Sequence, residues 1–454
     1  MVSTLNFLAP SLYPNTLVDV SFAQPTFSGV NVSMADEPVV RHLSVKYGQY
    51  QALGGIRRMA SCGENRIIAA DDKFQVSTLE LSPVDAEAVC PPSVILQQTI
   101  KARSKDTWAG LVPVEDGAIS AISSGLLTYH SISGDSSSRS VSSPLACLAS
   151  TPLEPTRFAL GGKEVDISIW DVERTFGSFD VAMAEHGAKR KKNVLEVGQI
   201  WQAKNMPNNY LKLRPPIYHL ALSWLDTPDA LVSGTKMGTV RRFDTRQRKP
   251  VADWKVAREG GVACLVPGAQ DELFFSDRSN YLGSLDLRTG KVLYSYSSLT
   301  ATPHHLVSLP PLNSSPIAPG TKRTGLASIS SDASIRIHSS TTPPPKDFKG
   351  NWEGEGKKGE IVGLVGGIGL GSFLWRGYGE REVVEMKDKK EDGEERDESE
   401  NEEEVWKGMD EVQDEGMASE FDSDGDEEDG GEDKEESESE NEERQASRKK
   451  KYSR

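Results

Sequence analysis

Along the first 380 positions, apolar residues recur in short runs that alternate with small or polar ones, as in VDISIW (165–170) and RIIAAD (66–71). Successive side chains of a strand point to opposite faces, so alternation over four to eight residues predicts β-structure. Gly, Ser, Asp and Pro punctuate the runs, and helical periodicity is scarce before residue 380. The pattern predicts many short antiparallel strands joined by tight turns.

The strands repeat as a unit. CLASTPLEPTRFALGGKEVDISIWDV (147–172), LALSWLDTPDALVSGTKMGTVRRFDT (220–245), ACLVPGAQDELFFSDRSNYLGSLDLR (263–288) and a longer copy over 305–338 share one order. Each has an apolar strand, a turn, a strand ending in small residues, a polar turn and a third strand. Fainter copies lie at 58–81 and 111–132. Equivalent third-strand positions fall at Leu79, His130, Trp170, Phe243, Leu285 and His338, in steps of 51, 40, 73, 42 and 53. The shorter steps match the period of about 40–45 residues of WD-type propeller blades. The longer ones carry insertions such as SGDSSSRSVSS (133–143) and SLPPLNSSPIAPGTKR (308–323). Six copies are visible, which a ring of six would satisfy, but seven blades are commoner for this repeat; the seventh would come from residues 1–50, and spacing does not fix how it closes, a strand from the C-terminal side being one option. EIVGLVGGIGLGSFLWRG (360–377) offers one further apolar strand pair. The fold class expected is therefore an all-β WD-repeat propeller of seven blades over residues 1–378, with 1–40 poorly matched. The Asp after each aromatic, as in Trp170-Asp171, is placed to cap a turn.

Charge divides the chain differently. The net charge of −16 is concentrated between Glu380 and Glu443, which hold 33 acidic and 7 basic residues. Residues 444–454 are basic, and residues 1–379 carry +4. The segment 379–454 has too few aliphatics to offset its chain entropy and is expected to be a disordered acidic tail with a basic tip. Ser423, Ser437 and Ser439 sit in acidic contexts suited to phosphorylation. Two basic clusters, Lys189–Arg190–Lys191–Lys192 and Arg448–Lys449–Lys450–Lys451, are candidates for nuclear import or RNA-phosphate contact.

Catalytic chemistry finds little support. The seven histidines form no HExxH or other metal spacing, and His304-His305 are expected to point to opposite strand faces. GLVGGIGLGS (363–372) lacks the Lys-Ser/Thr of a phosphate loop, and no GxSxG elbow occurs. Cys62, Cys90, Cys147 and Cys264 form no CxxC pair and read as buried thiols of a reducing compartment. No apolar run is long enough to span a membrane, and the N-terminus lacks a basic region before its apolar part. Neither cofactor nor metal is called for. FDTRQRK (243–249) and LDLRTGK (285–291) resemble the WD-x-R box by which some propellers dock on a cullin-ligase adaptor, with Phe243 and Leu285 in place of Trp. Turn decoration by Arg246 and Arg288 is the simpler reading, and a cullin substrate receptor is the alternative function.

Between the third and fourth strong blades runs QIWQAKNMPNNYLKLRPPIYHLAL (199–222). Pro207 and the asparagines interrupt the strand, and Pro215-Pro216 hold an extended exit. The segment is a connector rich in groups that hydrogen-bond or stack. It resembles the signature of the Nsa-type (Nop-seven-associated) WD-repeat assembly factors of eukaryotic ribosome biogenesis, through Ile200, Trp201, Ala203, Lys204, Asn205, Asn208, Leu211, Leu213, Pro216 and Ile217. SGTKMGTVRRFDTRQRKPV (233–251) is similar to the segment that follows in that family. The similarity extends over about residues 41–340. Tyr210 and Lys212 stand where the family has acidic residues, and the tail here is acidic where the family's is lysine-rich.

This resemblance implies a seven-bladed propeller in the nucleus and nucleolus, acting without catalysis on large-subunit precursors. The implied partners are the pre-ribosomal particle, other assembly factors, pre-rRNA and an AAA-type ATPase that releases it, with the chain a monomer inside that complex. The candidate partner- or RNA-binding residues are Lys204, Asn205, Asn208, Asn209 and Arg214 on the connector, with Arg241, Arg242 and Arg246 nearby.

Overall fold

A computed structural model describes residues 2–23, 26–28, 31–33, 37–63, 65–82, 90–151, 153–177, 195–208, 210–268, 271–296, 298–309, 325–339 and 358–381. Asn209, the two basic clusters, the three acidic-context serines and the tail beyond Arg381 lie outside these residues. The described chain is all-β apart from one five-residue helix, and its sheets form a ring of seven blades.

Blades 2 to 7 are built in chain order, each an antiparallel meander from the innermost strand outward. Blade 2 comprises Ile56–Ser61, Arg66–Asp71, Gln75–Glu80 and Ser93–Thr99. Blade 3 comprises Trp108–Val114, Gly117–Ile122, Leu126–Ser131 and Ser136–Ser140. In blade 4 the strands are Leu145–Ser150, Arg157–Gly162, Ser168–Asp171 and Gln199–Gln202. Blade 5 holds His219–Trp224, Ala230–Thr235, Thr239–Asp244 and Ala252–Lys255. Blade 6 holds Val262–Pro267, Glu272–Asp277, Leu282–Asp286 and Val292–Tyr296, with Lys358–Gly359 added in parallel at its outer edge. Blade 7 holds Pro303–Leu309, Gly325–Ser330, Ser334–His338 and Ile361–Val365. All six third-strand positions named from the sequence fall in third strands.

Blade 1 is assembled from both ends of the chain. Val2–Pro10, Thr16–Ala23 and Val39–Ser44 supply its three outer strands, and Leu374–Arg381 supplies the innermost one, paired antiparallel with Val2–Leu8. Spacing in the sequence leaves this closure open, with the C-terminal strand as one option, and the pairing of Leu374–Arg381 with Val2–Leu8 decides it. The apolar stretch 360–377 is not a strand pair, however: Ile361–Val365 completes blade 7, while Leu374–Arg381 begins blade 1. The intervening Gly369 and Gly371 pass so close to backbone of Pro10–Ser11 and Ile56–Arg57 that a Cβ would clash at 2.3 and 2.7 Å. Two apolar strands separated by glycines thus serve two sheets, because a hairpin would leave blade 1 without its inner strand.

Strand alternation explains the ring. In Arg66–Asp71, Ile67 and Ala69 join an apolar cluster with blade 1, while Ile68 and Ala70 join another with blade 3. Leu273 and Phe275 likewise face blade 5 and Phe274 faces blade 7. The described core is accordingly divided into seven clusters, one between each pair of adjacent blades. A single blade has two apolar faces and no interior, so only its neighbours can remove them from water.

The six inner strands of blades 2 to 7 each carry a bulge near their start, at Ile56/Arg58, Trp108/Gly110, Leu145/Cys147, His219/Ala221, Val262/Cys264 and Pro303/His305. Because a bulge breaks strict alternation, both His304 and His305 line the central channel rather than opposite faces as expected. A second correction concerns the cysteines: Cys62 and Cys147 are buried, but Cys90 is exposed.

Candidate functional site: the blade 4–5 connector

After Gln202 the chain leaves blade 4, and its base is tied down by hydrogen bonds. Ala203 N donates to Ile167 O at 2.8 Å, and Lys204 N donates to Arg248 O at 2.7 Å in the neighbouring blade. Arg248 Nε returns a bond to Gln202 O at 2.9 Å. Asn205 then closes a loop on itself. Its Nδ2 donates to Pro215 O at 2.8 Å, and its Oδ1 accepts from Met206 N at 2.8 Å. At the exit, Glu164 N donates to Ile217 O at 2.8 Å and Lys236 N to Tyr218 O at 2.9 Å. Ile200 and Trp201 pack on the blade 4–5 cluster, with Trp201 edge-on to Phe243 at 6.2 Å. Asn205 is thus a clasp, a role the sequence reading did not distinguish from partner contact.

The loop between the clasp residues projects outward. Tyr210 is 91 % exposed, Leu211 59 % and Leu213 60 %. Lys204, Asn208, Lys212 and Arg214 are exposed beside them. Lys212 holds φ at +59°, in the left-handed region that a non-glycine residue rarely adopts. Arg214 is 3.6 Å from Glu164, with both side chains well exposed. The same ground carries Asp166, whose pKa is raised by burial although Arg214, Arg248 and Arg241 pull it down. Three exposed apolar side chains on a loop with a fixed base form an interaction-prone surface. They were present in the sequence motif, but the candidate residues chosen from it were polar.

The three blade-5 arginines diverge. Arg241 is 6 % exposed and its Nε lies 3.3 Å from Asp253 Oδ1. Arg242, next along the strand and so on the other face, donates to Leu287 O of blade 6 at 3.2 Å. Neither is offered on the connector surface. Arg246 is exposed, but its guanidinium folds back on Asp244, Nε to Oδ1 at 2.9 Å and Nη2 to Oδ2 at 2.7 Å. That hydrogen bonding lowers the Asp244 pKa to about 2. Arg288 repeats the arrangement with Asp286, and Asp271 lies at 3.8 Å. The Asp of each turn thus takes up its own arginine, as turn decoration requires. At Trp170-Asp171 the same Asp caps the helix Val172–Phe176, accepting from Arg174 N. Among the described residues, no group of three or more His, Cys, Asp or Glu side chains is placed to hold a metal ion.

No family model matches the chain. It is similar to ribosome biogenesis protein NSA1 of Meyerozyma guilliermondii, at 30% identity over 141 residues, which cover 30% of this chain and 32% of that protein. It is also similar to WD repeat-containing protein 74 of Homo sapiens, at 26% identity over 250 residues (53% of this chain, 57% of that protein). The Bos taurus protein of the same name matches at 25% identity over 254 residues, 54% of this chain and 57% of that protein. The matched regions thus span between a third and three-fifths of these relatives' lengths. Both names agree with the family whose connector motif the segment Ile200–Ile217 resembles, and the fold is the propeller that the second name implies: the chain is similar to the NSA1 and WD repeat-containing protein 74 proteins.

Proposed function

We propose that the chain is a non-catalytic propeller scaffold in ribosome biogenesis, acting on large-subunit precursors in the nucleolus during rRNA processing. Its partners in this reading are other assembly factors and pre-rRNA within the pre-ribosomal particle, with release by an AAA-type ATPase. The observation that carries the proposal is the clasped connector, which presents Tyr210, Leu211 and Leu213 among Lys204, Lys212 and Arg214. Aromatic and basic groups together are suited to stacking and phosphate contact, or to the apolar centre and charged rim of a protein interface. Asn208 extends the same surface, and Arg246 and Arg248 flank it; Asn209, outside the described residues, is kept as a candidate by its place in the motif. The clusters 189–192 and 448–451 supply import signals in this scheme. The names of the relatives, one of which is a ribosome biogenesis protein, support the same reading. The cullin-receptor alternative is less supported, because Arg246 and Arg288 are already engaged by Asp244 and Asp286.

The test is a density gradient of nuclear extract from cells carrying the tagged chain, probed for large-subunit rRNA precursors with and without RNase. Co-migration with a precursor peak, dispersed by RNase, is the expected result. Light fractions containing a cullin adaptor and no precursor would overturn the function. A Lys204→Glu, Arg214→Glu double variant that co-migrates undiminished would overturn the assignment of the surface.

A further inference from the structure

The edge of the blades from which the connector leaves has a repeated geometry. In each of blades 2 to 7, one residue of the turn between the second and third strands donates its backbone N–H to the carbonyl that immediately precedes the inner strand of the same blade. The donors are Asp72, Ser123, Lys163, Lys236, Arg278 and Ser331, at 2.8–3.1 Å. Equivalent positions set equivalent side chains along this edge. Blades 2, 3 and 7 have an aspartate or a serine there. Blades 4, 5 and 6, which are consecutive, have Lys163, Lys236 and Arg278, and all three are exposed.

Backbone contacts join the three cations. Lys163 forms a β-bridge with Tyr218, whose carbonyl accepts from Lys236 N at 2.9 Å. Gly261 passes so close to Lys236 that a Cβ would stand 2.7 Å from its carbonyl oxygen. Arg278 N in turn donates to Gly261 O at 3.1 Å. The cations therefore follow one another over a continuous surface from blade 4 to blade 6.

The linkers between these blades add to the arc. Lys204, Lys212 and Arg214 are exposed on the connector, and Lys255 and Arg258 are exposed where blade 5 passes into blade 6. The Arg258 guanidinium lies over the Tyr281 ring at 4.0 Å. The exposed carboxylates at this edge of the three blades are Glu164 and Glu259, while Asp277 is buried and accepts from the backbone N–H groups of Arg258 and Ser279. Among the described residues, Arg214 is the one cation of the arc in an ion pair, with Glu164. At the opposite edge of the same blades, Arg157, Arg246 and Arg288 are each paired, with Glu154, Asp244 and Asp286. Unpaired charges of one sign gathered on one surface create a potential that attracts a polyanion. Beside them stands Tyr210, 91 % exposed.

We infer that this edge of blades 4 to 6 is a track for single-stranded RNA, whose phosphates meet Lys163, Lys236 and Arg278 in turn while a base stacks on Tyr210. A phosphodiester chain carries a charge at every step and so suits cations repeated from blade to blade. An unpaired base offers its ring face to Tyr210, which a duplex keeps inside its own stack and an acidic peptide does not supply. The inference rests on the connector surface of the proposed function and extends it to three turns which that surface did not include.

The experiment follows the anisotropy of labelled oligouridine against the full chain in rising sodium chloride. The native chain should bind with an affinity that falls as salt rises, with a logarithmic slope of about 0.7 per phosphate contact. Lys163→Glu with Lys236→Glu should weaken binding about tenfold or more and flatten that slope by about 1.4. Tyr210→Ala should weaken it about tenfold with the slope unchanged. Arg66→Glu with Arg174→Glu makes the same change of charge at exposed positions of the opposite edge and should alter binding less than about twofold. Native affinity in the Lys163 and Lys236 variant would overturn the track and assign binding to the basic clusters at 189–192 and 448–451. An equal loss in the opposite-edge variant would overturn it in favour of net charge alone. Polyglutamate competing as well as oligouridine, or an RNA duplex binding as tightly, would overturn the assignment to single-stranded RNA. Should the Lys163 and Lys236 variant fail to fold, the native chain decides. Bound oligouridine must then shield Lys163 and Lys236 from acetylation while leaving exposed Lys73 of blade 2 open, and equal labelling with and without RNA would refute the site. A chain that binds RNA in this way yet sediments apart from precursors overturns the proposed function alone, and one that co-migrates without binding oligouridine overturns the track alone.

Discussion

Blade 1 and the blade 4–5 connector are both stretches where the repeat pattern fails, and they fail for opposite reasons. Blade 1 draws Leu374–Arg381 and Val2–Pro10 from the two ends of the chain, and its apolar side chains are absorbed. Phe7, Phe22 and Phe373 are all fully buried, with Phe7 5.9 Å from Phe22 and 5.8 Å from Phe373 between ring centres. The connector has its backbone tied at both ends, yet Tyr210, Leu211 and Leu213 are left in water. A departure from the repeat whose apolar groups are consumed inside the ring serves closure. One whose base is fixed and whose tip stays exposed has side chains to give to a partner.

The largest test of this distinction is Phe373→Ala. Removing a fully buried aromatic from the junction of blades 1 and 7 should cost about 3–5 kcal/mol, read as a lower denaturation midpoint in urea. A loss below about 1 kcal/mol would mean that the closure is not a cooperative part of the ring and would break the comparison on its structural side.

An interior group that is incompletely matched sharpens the contrast. Glu272 is buried in blade 6, and the hydroxyls of Ser284 and Tyr294 both donate to its Oε1 while Oε2 has no partner. Burial pushes its carboxyl up to about 7 against those two hydrogen bonds, which pull it down. A folded-state value above the ordinary 4.5 means that the protonated form is the one the fold favours. Its contribution is therefore fully present below about pH 4.5 and is lost as pH rises through 7. Glu272→Gln should remove this dependence, gaining on the native chain by at most about 3 kcal/mol at pH 8 relative to pH 5. Parallel stability curves for the two proteins between pH 5 and 8 would refute it.

How much of this was legible in the sequence follows the same line. Alternation and turn residues identify blades 2 to 7, because each is local and Trp170, Phe243 and Leu285 mark the same third strand. Blade 1 is faint because its inner strand lies more than 360 residues from its next neighbour, and no local period reports such a pairing. The glycines between Ile361–Val365 and Leu374–Arg381 read as a hairpin turn, although close packing against Ser11 and Ile56 is what requires them. A bulge, invisible to a two-residue period, turned His304 and His305 to one channel. On the connector the motif located the loop, but the separation of clasp from tip needed the Asn205–Pro215 bond.

That separation gives the third test. Asn205→Ala removes two hydrogen bonds at the loop base and should cost about 1 kcal/mol of global stability. The sharper readout is proteolysis, where cleavage between Met206 and Arg214 should accelerate in Asn205→Ala and stay slow in Arg246→Ala. Equal cleavage in both would mean that the clasp does not order the loop.

The smallest structural effect should accompany the largest functional one. Tyr210→Ala with Leu213→Ser alters side chains that are 91 % and 60 % exposed, so the urea midpoint should move by no more than about 0.5 kcal/mol. If the tip is kept apolar for a partner, the same double variant should lose co-migration with precursor particles, because a few central anchors, tyrosines prominent among them, carry most of an interface's free energy. Phe373→Ala supplies the opposite control, since its effect on association should follow the fraction of folded chain. A tip variant that is as stable as the native chain and still co-migrates fully would leave the exposed loop without a role in assembly. A tip variant that unfolds would show that Tyr210 and Leu213 belong to the ring after all, and the line between closure and display would have to be drawn elsewhere.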